Sequence, residues 1–179
     1  MRILIIGGRR FLGRHLVETA TALGHEITLF NRGQTNPHLF PDIETITGDR
    51  DGGLEALLNR SWDAVIDTCG DMSRIVKASA EFLADAVDRY VFISSIQVYA
   101  DLSSAGNSET SPVAKLDDGA VEEDTEDTFG ARKVLCERVV EKAFPGRALV
   151  VRPGLLVGPY DTSDRFTYWP HRIRRGGRV

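Results

Sequence analysis

The chain has only two cysteines in 179 residues, Cys69 and Cys136, and their separation suits neither a disulfide framework nor paired zinc ligands. Both read as ordinary part-buried thiols. Four histidines, two methionines and two tryptophans are scattered without ligand spacing, so no metal site is expected. Positive charge is in deficit: 22 Lys and Arg stand against 26 Asp and Glu, a net −4 that leaves no bulk field to recruit nucleic acid or an anionic membrane. No apolar run approaches the ~18 residues needed to span a bilayer. The opening "MRILIIGG" is stopped by glycines before it reaches signal-peptide length, which makes the cytoplasm the expected compartment.

What is present describes one domain, residues 1–179, with 42% hydrophobic and 27% charged residues and 17 glycines for tight turns. Short β-branched runs alternate with longer amphipathic stretches. "RILIIG", "EITLF", "IETIT", "DAVIDT", "RYVFIS" and "ALVVRP" read as strands, and helical periodicity covers 11–23, 73–87 and 128–144. Gly24 ends the first helix, Ser73 is a candidate cap for the second, and Pro145 with Gly146 stops the third. Strands apolar on both sides, alternating with helices, predict an α/β fold: a doubly wound parallel sheet with helices on both faces. Residues 100–128 break the rhythm with a polar segment carrying seven carboxylates from Asp117 to Asp127, read as a solvated loop or as a lid or partner-binding segment. The closing "HRIRRGGRV" is basic and reads as a helix and turn.

The first strand runs into "GGRRFLG", Gly7 to Gly13, which opens the first helix. Glycines let the backbone turn sharply and approach a pyrophosphate, while the helix N-terminus offers free N–H groups to the anion. Gly7, Gly8 and Gly13 are therefore candidates for the pyrophosphate, with Arg10, Phe11 and Leu12 on the same turn. The motif resembles the "GGxxFLG" opening of the extended and atypical short-chain dehydrogenase/reductases, the NAD-dependent epimerase/dehydratase family. Arg10 stands where most members have glycine, which resembles the chloroplast stem-loop-binding-protein-like subgroup. It either lies along a phosphate or is an exposed arginine of the first turn.

The second strand ends in "NRGQT", putting Asn31 and Arg32 where an NAD enzyme places a carboxylate for the ribose hydroxyls. A cation there suits a 2′-phosphate, so NADP is the expected cofactor and NAD a possible one. The resemblance implies that Asp49 of "GDRD", with Arg50 beside it, meets the adenine, and that Thr68 and Cys69 of "DTCG" lie over a ribose. It implies further that Ser95 of "FISSIQVYAD" faces the reacting oxygen, Ser94 being structural, and that Arg152 and Pro153 lead to the nicotinamide edge.

The family's proton relay is a tyrosine followed four residues later by a lysine, which share one helical face. Here "EDTFGARKVLCE" keeps Lys133 and places Phe129 in the tyrosine's position. Phenylalanine transfers no proton. Tyr99 and Tyr160 are candidates for a displaced donor; alternatively Ser95 and Lys133 act alone or through water. The resemblance implies an oxidoreductase, epimerase or dehydratase acting on a sugar nucleotide or small carbonyl compound. Two rivals stand beside it: an NADP-binding or sensing protein without turnover, and an RNA-binding protein using Arg172, Arg174, Arg175 and Arg178. A homodimer through the second and third helices is also implied. Family members run well past residue 179, so the chain is expected to be either a piece of a longer protein or a shortened one with an open substrate cleft.

Overall fold

The computed structural model describes residues 1–116, 125 and 128–178. Strand β1 (Arg2–Ile6) leads through the glycine turn into α1 (Phe11–Ala22), and β2 (Glu26–Asn31), β3 (Glu44–Thr47) and β4 (Trp62–Asp67) follow. Then come α2 (Ser73–Leu83), β5 (Val87–Ile93), α3 (Phe129–Ala143), β6 (Ala148–Val151) and α4 (Tyr168–Arg174). The six strands form one sheet in the order β3-β2-β1-β4-β5-β6. Every pairing is parallel. β1 is central, with Ile5 facing Leu29 on one side and Ile66 on the other.

The period of two along β1 divides the core. Leu4 and Ile6 join a large cluster with Val76, Tyr90, Cys136 and Phe144, the α2 and α3 side. Ile3 and Ile5 join a smaller one with Val17, Ala20 and Leu29, the α1 side. Helices thus cover both faces, and the doubly wound fold is established. The chain reverses its winding direction between β1 and β4, so the ends of these two strands open a crevice, the usual ligand position in such sheets.

The second helix is shorter than its expected 73–87. It stops at Leu83, and Val87 opens β5 opposite Trp62. A turn closed by Ala86 N–H donating to Leu83 O, at 3.0 Å, separates the two, and the Trp62 N–H then takes Ala86 O at 2.9 Å. Sheet pairing outweighs the apolar spacing that looked helical. Ser73 is the first helical residue, with Met72 in the cap position, so the side-chain cap expected of Ser73 is not formed there. The carboxylates expected between Asp117 and Asp127 lie outside the described residues. Among the described residues no helix is long and apolar enough to cross a membrane. Beyond β6 the surface changes character: Leu155, Phe166, Trp169 and Ile173 are all at least half exposed.

Candidate active site

A cleft of about 1010 Å³ lies over the carboxyl ends of the strands. That is the upper end of the roughly 300–1,000 Å³ typical of small-molecule sites. Its floor is the glycine turn. Gly7 and Gly8 both have left-handed backbone, at φ +102° and +87°. A Cβ on Gly7 would lie 2.5 Å from Thr68 Oγ1, and one on Gly13 would lie 2.8 Å from Gly8 Cα. The turn is therefore pressed against both the β4 end and its own helix, and its first N–H, that of Gly7, donates to Phe30 O at 2.9 Å.

The neighbouring loops are fastened to this turn. Asn31 donates from Nδ2 to Gly7 O at 3.1 Å and accepts from the Gly33 N–H at 2.9 Å, so its amide shapes the loop as well as lining the cleft. Thr68 donates to Ile6 O at 2.8 Å, which holds its side chain over Gly7. Arg32, Asp49, Cys69 and Pro153 also line the cleft, as do Phe11 and Leu12. The Cys69 thiol is pushed up to about 11 by desolvation and by the Asp67 carboxylate, which makes it a poor nucleophile.

The two adjacent arginines both line the cleft but differ in burial. Arg10 is exposed just before α1, whereas Arg9 is buried with its Nη2 donating to Thr45 Oγ1 at 3.0 Å. Sequence reasoning overlooked Arg9. Nothing in the run "GGRRFLG" tells which arginine turns inward.

Arg50 has a different role from the cofactor contact expected of it. Its guanidinium grips the fully buried Asp67 through Nη1 to Oδ1 at 2.9 Å and Nη2 to Oδ2 at 2.7 Å, and reaches Ser79 Oγ at 2.6 Å. Tyr90 donates to the same carboxylate at 2.8 Å. Desolvation opposes ionisation of Asp67, but the charge and hydrogen bonds of Arg50 outweigh it and hold the carboxyl below its ordinary range. Arg50 still borders the cleft, as a brace beneath it.

At the other end lie Ser95, Phe129 and Lys133. Ser95 caps a 3-10 turn, its Oγ accepting from the Gln97 N–H at 3.2 Å. Ser94 is buried and donates to Glu137 Oε1 at 2.5 Å, while Arg152 pairs with Glu137 through Nη2 at 2.7 Å and Nε at 3.0 Å. Arg152 thus anchors β6 to α3. Lys133 is nearly buried, donating to Gly70 O at 2.6 Å and Ile93 O at 2.8 Å, with Asp71 Oδ1 3.9 Å away. Burial lowers its pKa, partly offset by Asp71. Its ammonium ties the β4 and β5 ends together beside the cleft.

Phe129 is the first residue of α3, one turn before Lys133. Gly130 lets the helix start approach the 3-10 turn, since a Cβ there would stand 2.1 Å from Gln97 O. The displaced donors considered from sequence lie elsewhere: Tyr99 is stacked 5.1 Å from Arg152, and Tyr160 sits 3.5 Å from Arg14. All four tyrosines are described, and none lines the cleft. No cluster of potential metal ligands occurs among the described residues.

A parallel sheet with a glycine turn at its switch point defines a Rossmann-type nucleotide fold. Residues 3–178 match the NAD dependent epimerase/dehydratase family, and the chain belongs to that family. It is 26% identical to the chloroplast stem-loop binding protein of 41 kDa b of Arabidopsis thaliana, covering 98% of this chain and 47% of that protein. It is 25% identical to UDP-glucose 4-epimerase of Neisseria meningitidis serogroup B, covering 84% of this chain and 51% of the other. The chain spans about half the length of these relatives. The Bordetella bronchiseptica enzyme WbmG, solved in complex with NAD, shares the fold over the whole chain and 61% of its own, with a TM-score of 0.79 at 21% identity.

Proposed function

We propose that the chain is a dinucleotide-binding, oxidoreductase-like domain that takes NADP in preference to NAD. The single observation that carries this is the cleft over the Gly7–Gly8–Gly13 turn, bordered by Arg32 and by no carboxylate at the end of β2. The pyrophosphate lies over the turn, Arg32 meets the adenosine ribose, Asp49 the adenine, and Lys133 the nicotinamide ribose. Thr68 and Cys69 lie over the other ribose wall. Ser95 faces the substrate oxygen, and the substrate is the hydroxyl or carbonyl of a sugar nucleotide, the class to which UDP-glucose belongs. The cytoplasm is the compartment we assign.

Hydride transfer belongs to the nicotinamide and needs orientation above all. The proton step needs a positioned acid or base. With Phe129 at the head of α3 and every tyrosine outside the cleft, turnover is slow, and the domain serves as a cofactor-binding or sensing unit until a proton donor is supplied. Calorimetric titration with NADPH and with NADH tests the reading. Saturable binding, tighter for NADPH, is the expected result; failure to bind either nucleotide overturns it.

A stem-loop RNA reading has the relative's name and the basic end behind it. Arg172, Arg174, Arg175 and Arg178 lie on or just after α4, and that helix buries no residue. Two of these arginines are engaged with each other's neighbourhood, Arg172 donating to the backbone oxygens of Gly176 and Arg178. With the net charge at −4, nucleic acid stays outside the proposal.

A further inference from the structure

We propose that residues 154–160 form a strap across the mouth of the nucleotide cleft, latched to α1 by Tyr160, Arg14 and His15, and that a bound dinucleotide leaves when this latch opens. The inference rests on the dinucleotide reading above and deepens it by naming what governs release.

The strap starts at the edge of the sheet and ends near its centre. β6 lies three strand positions from β1, about 14 Å at the usual spacing between neighbours. On the β6 side the Ile96 N–H donates to Pro153 O at 3.0 Å, and at α1 Pro159 O accepts from His15 Nε2 at 2.9 Å. Between these two anchors Leu155, Leu156 and Val157 are exposed. Gly154, Leu155 and Leu156 line the cleft, and Asp161 lines it again just past the latch. A segment held at its two ends, with little buried between them, is of the kind that opens locally while the rest of the fold stays intact.

The latch is built on one face of α1. Glu18 Oε1 accepts from Arg14 Nε at 2.9 Å and its Oε2 lies 3.7 Å from His15 Nδ1, so one carboxylate orients both side chains. The Tyr160 ring stands 3.5 Å from the Arg14 guanidinium and 5.7 Å from the His15 ring. Tyr160 has left-handed backbone at φ +70°, an uncommon state for a bulky residue that persists only where its surroundings hold it. Opening the latch relieves that strain. Tyr160 is half exposed, and cation–π contacts and ion pairs at a surface are weak, so the latch closes without locking. Phe11 connects it to the ligand site. Its ring lines the cleft, meets the edge of His15 at 5.9 Å and lies 3.9 Å from where a Cβ on Gly158 would stand.

The competing role is a fixed staple that shapes the loop and leaves ligand exchange alone. Stopped-flow fluorescence of bound NADPH or NADH, chased with excess oxidised nucleotide, separates the two in the wild-type chain, Tyr160→Ala, Arg14→Gln and Tyr160→Phe. The strap requires dissociation to quicken about fivefold in Tyr160→Ala and Arg14→Gln, as expected for loss of one exposed cation–π contact. Association must be as fast as the wild type's or faster. Tyr160→Phe keeps a ring over the guanidinium and should keep the wild-type rates. Tyr160→Ala alters an exposed side chain, so its result stands even if Arg14→Gln unfolds. Unchanged dissociation in Tyr160→Ala makes the latch a staple and overturns the proposal. Faster dissociation joined to slower association means that the cleft itself has deformed, and overturns it too, as does a Tyr160→Phe that behaves like Tyr160→Ala. In each of these cases the wild type still binds nucleotide and only the strap is lost. A wild type that binds neither NADPH nor NADH overturns the dinucleotide reading with it.

Discussion

Phe129 and Gly130 occupy adjacent positions at the head of α3, and a substitution at each has an expected sign. Phe129→Tyr places a phenol one turn before Lys133, on the cleft wall. The expected outcome is NADP-dependent turnover of a sugar nucleotide such as UDP-glucose that exceeds the parent's by ~10²–10⁴-fold, the usual contribution of a positioned acid or base. Equal rates in parent and variant would show that the phenol is not what the site lacks. At Gly130, alanine would ordinarily favour a helix by up to ~1 kcal/mol. Here its Cβ would meet Gln97 O at 2.1 Å, and overpacking of ~1–3 kcal/mol wins. A lower melting temperature is expected for Gly130→Ala; a higher one would mean that the 3-10 turn yields. Lys133 and the glycines were legible in the sequence because their spacing is local. Arg9, Asp67 and the commitment of Arg50 were not, because each depends on residues far along the chain.

The Asp67 carboxylate joins β4, β5, α2 and the segment after β3 through Arg50, Tyr90 and Ser79. Removing its charge strands a buried guanidinium, and breaking such a pair typically costs ~3–5 kcal/mol. Asp67→Asn is expected to lower stability in urea by that amount. The pH dependence follows from the direction of its shift. A carboxyl held below its ordinary value stabilises the fold fully above the unfolded value, about 3.9, and loses that contribution as pH falls through the lowered one. The wild type should therefore shed this stability in acid and the variant should shed less; parallel acid curves would contradict the assignment. Element order was legible because β-branched runs and helical periods alternate cleanly. Boundaries were less so: residues 84–87 keep an apolar pattern that suits either state, and only pairing with Trp62 makes Val87 a strand residue.

At the scale of the whole molecule, charge and exposed apolar surface are unevenly distributed. α2 and α3 turn Arg74, Lys77, Glu81, Arg138, Glu141 and Lys142 outward. We propose the homodimer that the family resemblance implies through these helices; so charged a face would give it a polar, salt-sensitive interface. Sedimentation velocity at low salt should show a dimer that weakens as salt rises, and a monomer throughout would remove the proposal. The doubly wound sheet was fully legible in the sequence. The exposed apolar side chains after β6 were not, because a periodic pattern says which residues share a face and not what covers it. The measurement that best tests the account is amide shift mapping of the isotopically labelled chain during NADPH titration. Shifts should concentrate at Gly7, Gly8, Gly13, Arg32 and Thr68 and extend to Ser95 and Lys133. Saturable shifts confined to α4 and the basic segment after it, or no shifts at all, would contradict a dinucleotide cleft at the ends of the strands.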